Sequence, residues 1–170
     1  MKHIVVILIF FAASNVAPAQ AQKGVLHLVW DNAKDKYGYA DDKGDTVIPL
    51  GKYTTCFTDT FNKLAIVLVK DKGFVGIDRK ENILFNIYPF DNGPDYPACG
   101  LFRIIKNGKI GFADLNGKII IQPQFDCAYP FENNQAKVGV GCKENRNGEH
   151  RFWSGGNWHT IDLKGNVVKK

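Results

Sequence analysis

The chain has 170 residues, 45% of them hydrophobic and 23% charged, with a formal net charge of +5. That composition excludes global disorder and fits one ordinary globular domain, which at this size buries roughly two thirds of the surface its unfolded form exposes. The positive charges are spread along the chain, and only Lys169 and Lys170 sit together at the end. A diffuse balance of this kind does not point to nucleic acid or an anionic membrane, which want a clustered basic stripe.

The first segment reads as a leader. Lys2 and His3 precede an apolar run from Ile4 to Ala13, and Ala19 and Ala21 flank Gln20. A basic start, a short apolar core and an A-x-A site are the marks of a secretory signal peptide. Residues 1–21 are therefore expected to be removed, leaving a soluble mature chain of residues 22–170 in the periplasm or outside the cell. The run is too short to anchor a bilayer, and no second run of about 20 apolar residues is present, so no transmembrane segment is expected. No Cys stands near the cleavage site to carry a lipid.

Self-similarity dominates the remainder of the chain. Tyr37-Gly38-Tyr39-Ala40-Asp41, Phe74-Val75-Gly76-Ile77-Asp78 and Ile110-Gly111-Phe112-Ala113-Asp114 align, with their Asp residues 37 and then 36 apart. A fourth copy, Trp158-His159-Thr160-Ile161-Asp162, stands 48 residues later. Each Asp opens a turn, and three of the four turns carry Gly at the fourth position, Gly44, Gly117 and Gly165. An Asp side chain there can accept a hydrogen bond from the backbone two residues on, and Gly takes the left-handed conformation of a type I turn with a bulge. Calcium loops present several carboxylates within one loop, and these present one or two, so the Asp residues read as turn-makers and not as metal ligands.

An apolar run precedes each copy, at Val25 to Trp30, Leu64 to Val69, Leu101 to Ile105 and Ala136 to Gly141, and the links between run and copy are short and polar. Runs of this composition with such links predict hairpins. A third short strand is expected after each Asp turn, as in Thr46 to Pro49 and Ile119 to Pro123, ended by a Pro that cannot donate to a ladder. Irregular connectors with aromatic anchors, such as Phe125 to Phe131, join the units. The fold class is therefore all-β: tandem antiparallel β-hairpin or meander repeats, about four degenerate copies, forming a twisted open or partly propeller-like sheet array. One such unit buries little on its own and must lean on its neighbours.

The pattern aromatic-Gly-aromatic-small-Asp-x-x-Gly, then Ile-Ile-x-Pro-x-Phe-Asp, then Pro-Phe, then Ala-x-Val resembles the WG repeat of bacterial proteins. Residues Asn107 to Val138 match it best. The resemblance implies a repeat module that serves as an interaction surface, with no common catalytic residue and no cofactor.

Cys56, Cys99, Cys127 and Cys142 all lie in the part expected to be exported. They permit two disulfides in three connectivities, or reduced buried thiols, and no C-x-x-C pair suggests zinc or thioredoxin chemistry.

The fourth hairpin breaks the pattern. Sixteen residues, Cys142 to Asn157, stand where copies two and three have four, and Asn147-Gly148 is a tight-turn signal, so an elongated hairpin is expected. Insertions in repeat arrays often map to a binding face, and terminal repeats also need capping. Lys143, Arg146, His150, Arg151, Phe152, Trp153 and Trp158 combine cationic and flat aromatic groups, and are the candidate binding residues. The expected partner is a protein or glycan of the cell envelope. No catalytic residues are expected; the alternative, a small envelope hydrolase, would have to use Ser154 or Cys142 with His150 or His159, and no Gly-x-Ser-x-Gly elbow is present.

Overall fold

A computed structural model describes residues 24–148 and 150–169, with the backbone alone for His150 and Arg151. The expected signal peptide, residues 1–21, lies outside the described residues. These contain strands and no helix, joined in antiparallel sheets with free ends.

The chain runs in four successive units. The first holds β1 (Leu26–Asp31), β2 (Lys36–Ala40) and β3 (Thr46–Tyr53), then the short β4 (Thr55–Cys56) and β5 (Thr60–Phe61). The second holds β6 (Ala65–Val69), β7 (Gly73–Ile77) and β8 (Ile83–Ile87), then β9 (Pro89–Phe90) and β10 (Gly93–Pro94). The third holds β11 (Leu101–Lys106), β12 (Lys109–Asp114) and β13 (Ile119–Phe125), then β14 (Cys127–Ala128). The fourth is the long pair β15 (Gln135–Asn147) and β16 (His150–Asp162).

The Asp turns are four versions of one structure. The Oδ1 atoms of Asp41, Asp78, Asp114 and Asp162 each accept two backbone N–H groups, from the second and fourth residues on. In each turn the fourth residue donates its N–H to the Asp carbonyl. That fourth residue has positive φ: Gly44, Gly117 and Gly165 adopt it freely, and Glu81 adopts it at 62°. The carboxylates are thus occupied by backbone donors, as turn-makers are.

The glycine of the repeat has a separate cause. β3 and β13 do not stop at Pro49 and Pro123 as expected; they continue to Tyr53 and Phe125. Both are edge strands, where a missing N–H costs no ladder bond. At the Pro, each strand shifts register and arches over the facing glycine. A Cβ on Gly38 would lie 2.6 Å from the Ile48 carbonyl oxygen, and one on Gly111 2.5 Å from that of Ile121. The second unit has Val75 at this place, opposite a β8 that contains no Pro and pairs with it at Asn86. Val75 is accordingly fully buried without clash.

An aromatic ring is also exchanged across one strand pair. Tyr39 faces Ile48 and Phe112 faces Ile121, with the aromatic rings wholly buried. In the second unit Gly76 faces Phe85, whose ring fills the space that a Cβ at Gly76 would enter.

Connectors are more regular than expected. β4 pairs with β6 and β14 with β15, so each carries the sheet into the next unit, while β5 returns to β1. Units two and three join directly through β8 and β11. The cores obey the same logic. One cluster mixes Leu26, Tyr39 and Phe61 of the first unit with Val67, Val75 and Ile77 of the second. Another joins Phe112, Ile121 and Phe131 to Ala136, Val138 and Ile161. Each unit therefore completes its hydrophobic face with its neighbour, the condition under which such units are stable only in series.

Candidate functional site

The insertion in the fourth unit forms an extension of one hairpin. β15 and β16 stay paired from Gln135↔Asp162 out to Asn147↔His150. Gly148, at φ 62°, supplies the left-handed residue the tight end requires. Cys142, the first residue of the insertion, is disulfide-bonded to Cys127 of β14, which fixes the base of the extension to the third unit. Cys56 and Cys99 are free, the first buried and the second exposed.

The extension lies against the second unit's connector instead of standing clear. The Trp153 ring centroid is 6.3 Å from that of Tyr88, and the Tyr88 hydroxyl donates to Glu144 Oε1 at 3.4 Å. Between them runs a groove of about 800 Å³, within the range of ligand-binding clefts. Tyr88, Phe90, Asp91 and Asn92 form one wall, Tyr129 and Pro130 the end, and Glu144, Arg146, Phe152 and Trp153 the other wall. Phe90, Tyr129 and Phe152 keep 43–49% of their surface in water.

Arg103 forms the floor. It lies in the apolar strand β11, and its side chain is 3% exposed. Its guanidinium pairs with Asp95, equally buried, through Nε at 3.0 Å and through Nη2. Asp95 also accepts the backbone N–H of Arg103 at 2.8 Å, and Nη1 donates to the Ala128 carbonyl at 3.0 Å. The guanidinium carbon sits 4.3 Å from the Tyr88 ring centroid and 5.5 Å from that of Phe90. One side chain thus orients two groove-wall rings and ties the second unit's connector to the third's.

Of the seven candidate binding residues, Arg146, Phe152 and Trp153 meet in this groove. Lys143 is exposed on β15 opposite Ser154, and the side chains of His150 and Arg151 lie outside the described residues. Trp158 stands apart: its ring faces Tyr129 at 5.7 Å, Lys137 Nζ lies 5.2 Å above it, and its Nε1 donates to the Gly155 carbonyl. That contact occupies a place in the repeat where Phe74 meets the connector residue Phe57 edge-on at 5.4 Å. Sequence reasoning missed Tyr88, Phe90, Tyr129, Arg103 and Asp95. The available signal was Arg103 itself, a charge in the middle of Leu101-Phe102-Arg103-Ile104-Ile105.

Among the described side chains the hydrolase alternative is not assembled, and the side chain of His150, one of its two candidate bases, lies outside them. Cys142 is held in the disulfide and has no thiol. The Ser154 hydroxyl is engaged by the Asn145 side-chain amide at 2.6 Å, and His159 lies five residues along the same strand, roughly 15 Å away.

An open array of antiparallel hairpins with a shared turn and a groove of aromatic side chains defines a β-repeat protein. Residues 37–72 and 110–141 each match the family model of the WG containing repeat. No curated protein and no solved structure matches the chain.

Proposed function

We propose that the protein is an exported, non-catalytic binding module that holds a protein or glycan of the cell envelope in the groove between its last hairpin and the connector of its second unit. The observation that carries this reading is convergence. Five aromatic side chains from three parts of the chain meet where the one departure from the repeat folds back. Aromatic and Arg side chains left in water at a concave site are the types that dominate binding energy. Export rests on the leader-like composition of residues 1–21. No described helix is long and apolar enough to cross a membrane.

The test is retention of the purified mature protein on an immobilised panel of envelope glycans and envelope proteins. Retention of the wild type, lost in Phe152→Ala and kept in Leu115→Ala on a remote turn, supports the reading. Equal retention of both variants would contradict it, as would any turnover of a retained glycan or peptide that survives purification.

A further inference from the structure

The groove has a chemical character that narrows its occupant. We infer that it binds an uncharged oligosaccharide, stacked on Phe152, Trp153 and Tyr129 and hydrogen-bonded by Asp91, Asn92 and Arg146. This rests on the groove being the binding site.

Charge is the first argument. The chain carries +5, but that excess is not focused here. Arg103 on the floor is neutralised by Asp95, and Arg146 is offset by Asp91 and Glu144 on the groove walls. The described lining therefore carries no excess of cationic groups to draw an acidic polysaccharide, a phosphate or a nucleic acid.

Surface type is the second. The rings of Tyr129 and Phe152 remain 43% and 49% exposed, so folding leaves flat, electron-rich faces in water. The C–H faces of a pyranose ring are weakly apolar and carry partial positive charge, and they stack on such faces. Beside the rings stand planar polar groups. Asp91 and Asn92 are adjacent and exposed on the turn between β9 and β10, and Arg146 is exposed across the groove. A carboxylate, an amide and a guanidinium offer paired acceptors and donors that match vicinal hydroxyls.

Shape is the third. The groove is half-open and, at about 800 Å³, several times the volume of one hexose, so a run of sugar units fits it better than a single one. A proline-rich peptide also docks on aromatic-lined grooves, and it is the competing probe in the test.

The experiment titrates the mature protein, monitored by tryptophan fluorescence and calorimetry. The probes are hexasaccharides of β-1,4-linked glucose, xylose and N-acetylglucosamine, an acidic hexamer of galacturonate, and a proline-rich peptide. At least one neutral hexamer should bind saturably and more tightly than the galacturonate hexamer. Phe152→Ala should weaken it about tenfold. Trp30→Ala, in β1 away from the groove, should leave it unchanged. Trp153 packs partly into the core, so the exposed Phe152 is the primary variant. Preference for galacturonate, or no neutral hexamer bound at ~10 mM, overturns the sugar assignment. Peptide binding that falls in Phe152→Ala, without sugar binding, overturns the sugar and leaves the groove as the site. Binding of a probe indifferent to both Phe152→Ala and Arg146→Ala sinks the groove as well.

Discussion

Arg103 and Asp95 bury opposite charges against each other at the foot of the groove, and neither side chain is more than 3% exposed. A pair of this kind adds little over two apolar residues, but removing one partner leaves an uncompensated charge. Asp95→Ala is expected to lower stability by about 3–5 kcal/mol in urea unfolding, while the double variant Asp95→Leu, Arg103→Met recovers most of it. Arg103→Lys should also lower the urea midpoint, since an ammonium cannot reproduce the forked contact with Asp95 or the contact with the Tyr88 ring.

The cysteines divide into three kinds. Intact mass before and after reduction should reveal one disulfide. Alkylation of the unreduced native protein should label the exposed Cys99 and spare Cys56. Burial pushes the Cys56 thiol up to about 11, so its thiolate is scarce at neutral pH. Cys127→Ser with Cys142→Ser removes a cross-link over a separation of 15 residues and should cost about 3 kcal/mol.

Two of the four Asp turns carry a further side-chain donor, for a reason visible in sequence. The side-chain amides of Asn82 and Asn166 donate to Oδ2 of Asp78 and Asp162, where the other turns have Asp45 and Lys118. At Asp78 partial burial raises the carboxyl's pKa, but the Asn82 amide and the backbone donors outweigh it and hold the carboxyl below its ordinary value. Asp162 is held low first by the Asn166 amide. A carboxyl lowered in the folded state stabilises it above the unfolded value, and that contribution fades as pH falls through the folded one. Urea midpoints measured from about pH 5 to pH 2 should therefore drop on acidification. The drop should be shallower in Asn82→Ala with Asn166→Ala.

Gly111 is required by the strand that arches over it. A Cβ there would lie 2.5 Å from the Ile121 carbonyl oxygen and 2.6 Å from the Pro123 nitrogen. Gly111→Ala should cost about 1–3 kcal/mol, whereas Gly93→Ala, with open space around it, should stay within about 0.5 kcal/mol in the same thermal melts.

The all-β repeat was legible because its signals are local. An Asp with Gly three residues on, alternating apolar runs and an Asn-Gly turn each act within a few residues, and the four turns and the long hairpin are where those signals put them. Pro49 and Pro123 misled because a strand that ends at Pro and an edge strand that bulges through it look alike until the partner is known. Half of the groove was legible for the same reason: Arg146, Phe152 and Trp153 stand on a visible insertion. Tyr88, Phe90 and Tyr129 belong to connectors, and no local pattern shows that the hairpin folds back onto them. The pairing of Arg103 with Asp95 depends on the two-strand excursion of β9 and β10, which brings residue 95 back beside residue 103.

Amide chemical-shift mapping tests the binding site most directly, using isotopically labelled mature protein titrated with the neutral hexasaccharides and with any envelope component retained in the panel. Perturbed amides should centre on Tyr88, Phe90 to Asn92, Tyr129, Glu144 to Arg146, Phe152 and Trp153. Perturbations centred on β1 to β3, or none from any probe, would contradict the groove as the binding site.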